Sequence, residues 1–162
     1  MAGNTLFHQQ DWMFSYRVGA LIYHNNHLLM QRSAGAAGYA LPGGEVAFGE
    51  FSDESLAREL KEKLGIAVRV GRLCFVAEQF FEGEKPCQQI NLFYLAELKN
   101  KEDLPQDTFH PLDDLGRERS ELEFTWIPVD QLSKTKIYPA CIRPYLAELP
   151  PYTIHLCENK MR

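Results

Sequence analysis

Apolar and β-branched or aromatic positions concentrate over residues 14–23 (FSYRVGALIY) and again over 27–32 (HLLMQR). Both stretches read as strands, with His24, Asn25 and Asn26 as the turn between them. Residues 33–38 are small and glycine-rich, hence a loop, and 39–41 is a short extended piece leading into Pro42-Gly43-Gly44. After Glu50 the period changes. Leu56, Leu60 and Leu64 repeat every four residues and make one apolar stripe, the mark of an amphipathic helix. Ser52 is its expected N-cap, Asp53 and Glu54 suit the positive end of the helix dipole, and Gly65 is placed to end it.

Strand character returns over 66–81, in two pieces around Gly71, and over 89–98 after a turn at 82–86. Residues 99–120 are polar and loop-like, long enough to suggest function or disorder. An extended piece over 124–129 leads into a short helix opening at Asp130, and 139–149 reads as a last helix that Pro144 would shorten or kink. Strands on both sides of one well-capped helix, with helical segments after them, predict an α/β protein with a mixed sheet between helices.

At 162 residues, 45% hydrophobic and 24% charged, the chain reads as one globular domain. A net charge of −5 and the lack of any basic run disfavour duplex nucleic acid as a partner. Residues 1–12 show no charged and apolar leader pattern, and no run of about 18 apolar residues exists. A cytoplasmic protein without a membrane partner is expected. Cys74, Cys87, Cys141 and Cys157 form no CxxC pair, and the five histidines are scattered, so spacing along the chain gives no zinc motif.

The segment 41–66, LPGGEVAFGEFSDESLARELKEKLGI, carries the chemistry. Gly43-Gly44 lets backbone groups come close to a ligand. Glu59 and Glu62, three apart, share one side of the helix and flank the leucine stripe. Carboxylates beside a backbone carbonyl are hard oxygen ligands suited to Mg²⁺ or Mn²⁺.

The spacing resembles the Nudix box: Gly, five residues, Glu, seven residues, then Arg-Glu-aliphatic-x-Glu-Glu-x-Gly-aliphatic. Gly44, Glu50, Arg58, Glu59, Leu60, Glu62, Gly65 and Ile66 fall on that pattern. The resemblance extends in outline over 14–149 within a single domain spanning 1–162. It implies an α/β/α sandwich and divalent-metal-dependent hydrolysis of a pyrophosphate linkage in a nucleoside diphosphate derivative, a small-molecule partner. By the same resemblance, the Gly43 carbonyl, Glu59 and Glu62 would hold or orient Mg²⁺ or Mn²⁺, with Glu50 in support. Arg58 would orient the carboxylates. A homodimer is an assembly compatible with this reading.

The departure is Lys63, which stands where the box has the second glutamate of its Glu-Glu pair. Two accounts follow. Lys63 can pair with Glu59 one turn away, or it can offer an ammonium to a substrate phosphate in place of one cation. Accordingly the chain reads as a hydrolase, or alternatively as a catalytically impaired Nudix-fold nucleotide-binding or regulatory module.

Outside the box, the same resemblance implies a general base or extra ligand from a late loop, with Glu121 the preferred candidate and Glu123 beside it. Arg17 and Arg32 are expected to meet phosphate. Phe81, among Tyr16, Phe80 and Tyr94, is expected to offer a stacking surface to a base.

Overall fold

The computed structural model describes residues 3, 5–9 and 11–161. The reading of residues 1–12 rests in part on residues 1, 2, 4 and 10, which lie outside that set. The chain forms two mixed sheets, one α-helix and two 3₁₀ segments among the described residues. The elements run β1 (Phe7–Gln9), β2 (Trp12–Leu21), β3 (Tyr23–His24), β4 (His27–Ser33), β5 (Tyr39–Ala40), β6 (Gly43–Glu45) and α1 (Ser52–Leu64). After the helix come β7 (Val68–Glu82), β8 (Pro86–Leu98), β9 (Leu122–Pro128), β10 (Ile137–Tyr138) and β11 (Ile154–Asn159).

The larger sheet has the order β1-β2-β8-β7-β11, with β6 joined to β2 as well. Its β2–β8 and β7–β11 pairs are parallel, while β1–β2, β2–β6 and β7–β8 are antiparallel. The smaller sheet runs β10-β5-β4-β3, with β9 also on β4. Its tight turn uses Asn25 and Asn26 at φ 49° and 61°, backbone angles that asparagine tolerates better than most residues.

Alternation along the strands divides the interior into two cores. Val18, Ala20, Ile22 and Leu29 face Leu56 and Leu60 of α1. Their neighbours Leu21, Leu28 and Met30 point the other way and pack with Phe75, Leu132, Ile142 and Leu146. Leu132 and Ile142 belong to the 3₁₀ segments Val129–Lys134 and Ala140–Tyr145. Helix, sheets and 3₁₀ segments are thus stacked as the expected α/β/α sandwich.

Several local expectations are corrected. The N-cap is Phe51, not Ser52. The Ser52 hydroxyl is instead 2.7 Å from the Tyr94 hydroxyl. The Glu54 carboxylate reaches back to accept the Phe51 N–H at 2.9 Å, so the helix start is held from inside. Gly65 ends α1 as expected, at φ 67°, its N–H donating to the Lys61 carbonyl.

Gly71 does not break β7, because pairing with β8 continues through irregular register between Val70 and Phe75. The expected last helix is only the 3₁₀ turn around Pro144, whose missing N–H cannot propagate an α-helix. Residues 99–120 are ordered against β9: the Trp126 indole donates to the Pro105 carbonyl at 2.9 Å, and Phe109 stacks on Phe124 at 5.5 Å. Strands β1, β6, β10 and β11 were not expected.

Candidate functional site

Strand β6 is held against β2 with Gly43 opposite Gly19 and Gly44 opposite Val18. A side chain at Gly43 would run into the Val18 carbonyl and the Gly19 backbone. A side chain at Gly44 would run into the Glu59 carboxylate. Hence the two glycines let a strand backbone and a helix carboxylate approach each other. At that junction the Lys63 ammonium donates to the Gly43 carbonyl and lies 3.4 Å from Glu59 Oε2.

The remaining carboxylates gather on Arg58. Its Nε donates to Glu50 Oε1 at 2.8 Å and Oε2 at 3.1 Å. One terminal nitrogen reaches Glu59 Oε1 at 3.3 Å and Glu62 Oε2 at 3.2 Å. Ser55 ties the loop to the helix, accepting the Ala47 N–H at 3.2 Å while its hydroxyl donates to Glu50 at 3.4 Å. Three carboxylates against one guanidinium and one ammonium leave a single net negative charge. With glutamate at position 63 the same cluster would carry three.

Burial lowers the Lys63 pKa; the Glu59 charge opposes that, and the charges of Arg17 and Arg119 add to the lowering. Three cations therefore share this end of the molecule. Arg17 pairs with Glu45 at 3.4 Å. Arg119 pairs with Glu121 at 2.8 Å, a contact that holds the Glu121 carboxyl below the usual range.

The predicted ligand set of Gly43, Glu50, Glu59 and Glu62 is brought together, but all except one of its negative charges are matched from within. Between Gly43 and Glu59 the residues do not fit a divalent ion, because the Lys63 ammonium holds both oxygens a cation would need. Glu62 is different: its side chain is 61% exposed and it makes one ion pair. Mg²⁺ commonly binds through one or two carboxylates plus substrate phosphates, which this remaining arrangement allows.

Arg17 stands within the field of Lys63, whereas Arg32, Phe81 and Glu121 make no hydrogen bond or ion pair with the helix carboxylates among the described residues. Arg32 is opposite Glu123 in the β4–β9 register, 3.0 Å from its carboxylate, and its guanidinium covers the Tyr39 ring at 4.7 Å. These contacts tie Arg32 and Glu123 into the smaller sheet. Phe81 sits half-buried near the end of β7, opposite Cys87. Glu121 is exposed in the loop before β9, bound to Arg119 rather than to the helix carboxylates.

Two features were missed by the sequence reading. A groove of about 690 Å³ opens beside Glu62 and Lys63, walled by Leu104, Phe109, His110 and Glu118 from the 99–120 segment. Its length and polarity were the available signal. Second, Glu45 and Asn91 flank Arg17 in one row across β6, β2 and β8. Glu45 Oε2 and Asn91 Oδ1 are buried without a hydrogen-bond partner, which is unusual in a folded protein. Only strand register reveals that row.

The layered α/β/α sandwich thus carries the helix carboxylates, with Glu62 and Lys63 bordering the groove. The NUDIX domain family matches residues 13–149, and the chain belongs to that family. Similar solved structures include a UDP-X diphosphatase, with TM-score 0.61 and 21% identity. That match covers 88% of this chain and 66% of the other, so this chain spans just under two thirds of that relative. A NUDIX hydrolase from Nitrosomonas europaea has TM-score 0.63 at 16% identity, covering 94% and 82% of the two chains. An ADP-ribose pyrophosphatase from Streptococcus suis has TM-score 0.57 at 14% identity, covering 88% and 98%. Nudix hydrolases generally use divalent metals.

Proposed function

We propose that this chain is a pyrophosphohydrolase acting on a nucleoside diphosphate derivative, with Lys63 supplying a positive charge that relatives draw from metal. The observation that carries this reading is the Lys63 ammonium seated on the Gly43 carbonyl beside Glu59. It sets an ammonium against strand β6, on the border of a groove large enough for a nucleotide-sized ligand. The charges of Arg17 and Arg119 extend that field.

In this assignment Arg58 holds Glu50, Glu59 and Glu62 in place, and its fixed fork makes it an orienting group rather than a substrate ligand. Lys63 and Arg17 stabilise charge on the phosphate oxygens. Glu62, open to solvent, is the carboxylate assigned to orient the attacking water, in preference to the Arg119-bound Glu121. Mg²⁺ or Mn²⁺, arriving with the substrate and facing Glu62, would neutralise further phosphate charge.

The chain would be assayed against a panel of nucleoside diphosphate derivatives with Mg²⁺ and with Mn²⁺, scoring phosphate-containing products. Turnover is expected in the wild type, with loss of about 100-fold or more in Glu62→Gln. Lys63→Glu, which restores the box, is expected to shift the metal requirement to lower concentration. Absence of turnover by both the wild type and Lys63→Glu would sink the hydrolase reading. A second reading, a nucleotide-binding module without turnover, is favoured by the same Lys63 contact, since it closes one metal position. It requires tight nucleotide binding in the absence of metal.

A further inference from the structure

Strand β11 carries two donor side chains that spacing along the chain does not connect with a third. It is the outer strand of the larger sheet and runs parallel to β7, with His155 opposite Val76 and Cys157 opposite Glu78. Residues two apart on a strand share a face, so His155 and Cys157 rise on the side where Glu78 also stands. His155 Nε2 is 2.6 Å from Glu78 Oε2 and 3.8 Å from Cys157 Sγ. One donor atom from each of the three residues lies within 4.8 Å of the other two.

These distances suit a tetrahedral cation. Zinc bonds of about 2.0–2.3 Å place neighbouring ligand atoms roughly 3.3–3.8 Å apart. The histidine–sulfur separation already matches. The histidine–carboxylate pair, at hydrogen-bond distance, has to open by less than about 1 Å. All three side chains are exposed, so an ion can enter from solvent.

The donor set is selective. A thiolate and an imidazole select a borderline cation such as Zn²⁺ over Mg²⁺, which demands oxygen ligands. Thiolate and carboxylate together carry two negative charges, the complement of a divalent ion. The site is also remote from the helix carboxylates. Strands β2, β8 and β7 lie between β6 and β11, four strand spacings of about 4.8 Å each, or about 19 Å.

We propose that Glu78, His155 and Cys157 bind Zn²⁺, with water as fourth ligand, and that the ion clamps β11 to β7. Co²⁺ is the probe, added to the full-length reduced chain. Expected are tetrahedral visible bands and a thiolate-to-cobalt charge-transfer band saturating at one Co²⁺ per chain, displaced by Zn²⁺. Cobalt at the Glu62 carboxylates would have oxygen ligands and no charge-transfer band, so the two sites are separable.

Cys157→Ser and His155→Ala should each weaken binding beyond the roughly 10–100-fold typical of losing only an outer partner of a metal ligand. Glu78→Gln should weaken it less. Cys74 and Cys87 are buried and Cys141 half-buried, so they do not substitute for Cys157. Zn²⁺ should raise the Tm of the wild type but not of Cys157→Ser. Because position 157 is exposed, that variant is expected to fold, which its metal-free Tm verifies. Absence of the charge-transfer band, or its survival in Cys157→Ser, would overturn the proposal.

Discussion

At position 63 one side chain decides how the cluster is balanced. A glutamate there would add a fourth carboxylate; the lysine instead neutralises Glu59 and caps the Gly43 carbonyl. The geometry depends equally on what is missing at position 44. In Gly44→Ala the new methyl would lie 2.8 Å from Glu59 Cγ and closer still to its carboxylate, so Glu59 has to swing away from Lys63. The expected result is a loss of at least ten-fold in kcat for about 1–3 kcal/mol of destabilisation, the cost of moderate overpacking. Steady-state kinetics alongside urea unfolding separate the two effects. Unchanged kcat would show that the Glu59–Lys63 pairing is not part of the working site.

Among the elements, α1 was legible because its leucine spacing, acidic first turn and terminal glycine all agree. The 99–120 segment was not legible. Its order comes from contacts distant in sequence, such as Trp126 to Pro105 and Thr125 to Thr108. Within it, residues 113–117 form a turn closed by charge. The Arg117 N–H, then the Leu115 N–H and the Arg117 guanidinium, hold the Asp113 carboxyl below its usual range.

A lowered folded-state pKa means that the turn is favoured above the ordinary aspartate value of about 3.9 and loosens as pH falls through the lower folded value. NMR shifts of the Leu115 and Arg117 amides should therefore titrate below about pH 3.9 while those of β9 hold steady. A midpoint at or above the ordinary value would contradict the hydrogen bonding seen here.

Over the whole molecule, two cores on opposite faces of the strands hold the layers together. Phe75 is fully buried in the second core, its ring 6.4 Å from Phe93 and 5.9 Å from Tyr145. It joins the larger sheet to the 3₁₀ segments on the face away from α1. Phe75→Ala should cost about 3–5 kcal/mol in urea unfolding, the range for truncating a buried aromatic. A loss well under 1 kcal/mol would mean that this core closes over the cavity, and that the layer is looser than its packing implies.

The sequence by itself determined the fold class, the one long helix and the membership of Glu50, Arg58, Glu59 and Glu62 in one cluster. The helix follows from leucine periodicity, and the cluster from the resemblance to the Nudix box, whose residues lie near one another along the chain. It also exposed Lys63 as the odd residue but left two partners open for it, Glu59 or a phosphate. Tertiary structure decided what the ammonium touches, since Gly43 is twenty residues away and meets Lys63 only when β6 docks on β2. It also paired Arg32 with Glu123 across strands. The Glu45–Arg17–Asn91 row and the Glu78–His155–Cys157 group come from the same source. Strand pairing sets residues side by side without leaving any spacing between them that the sequence could show.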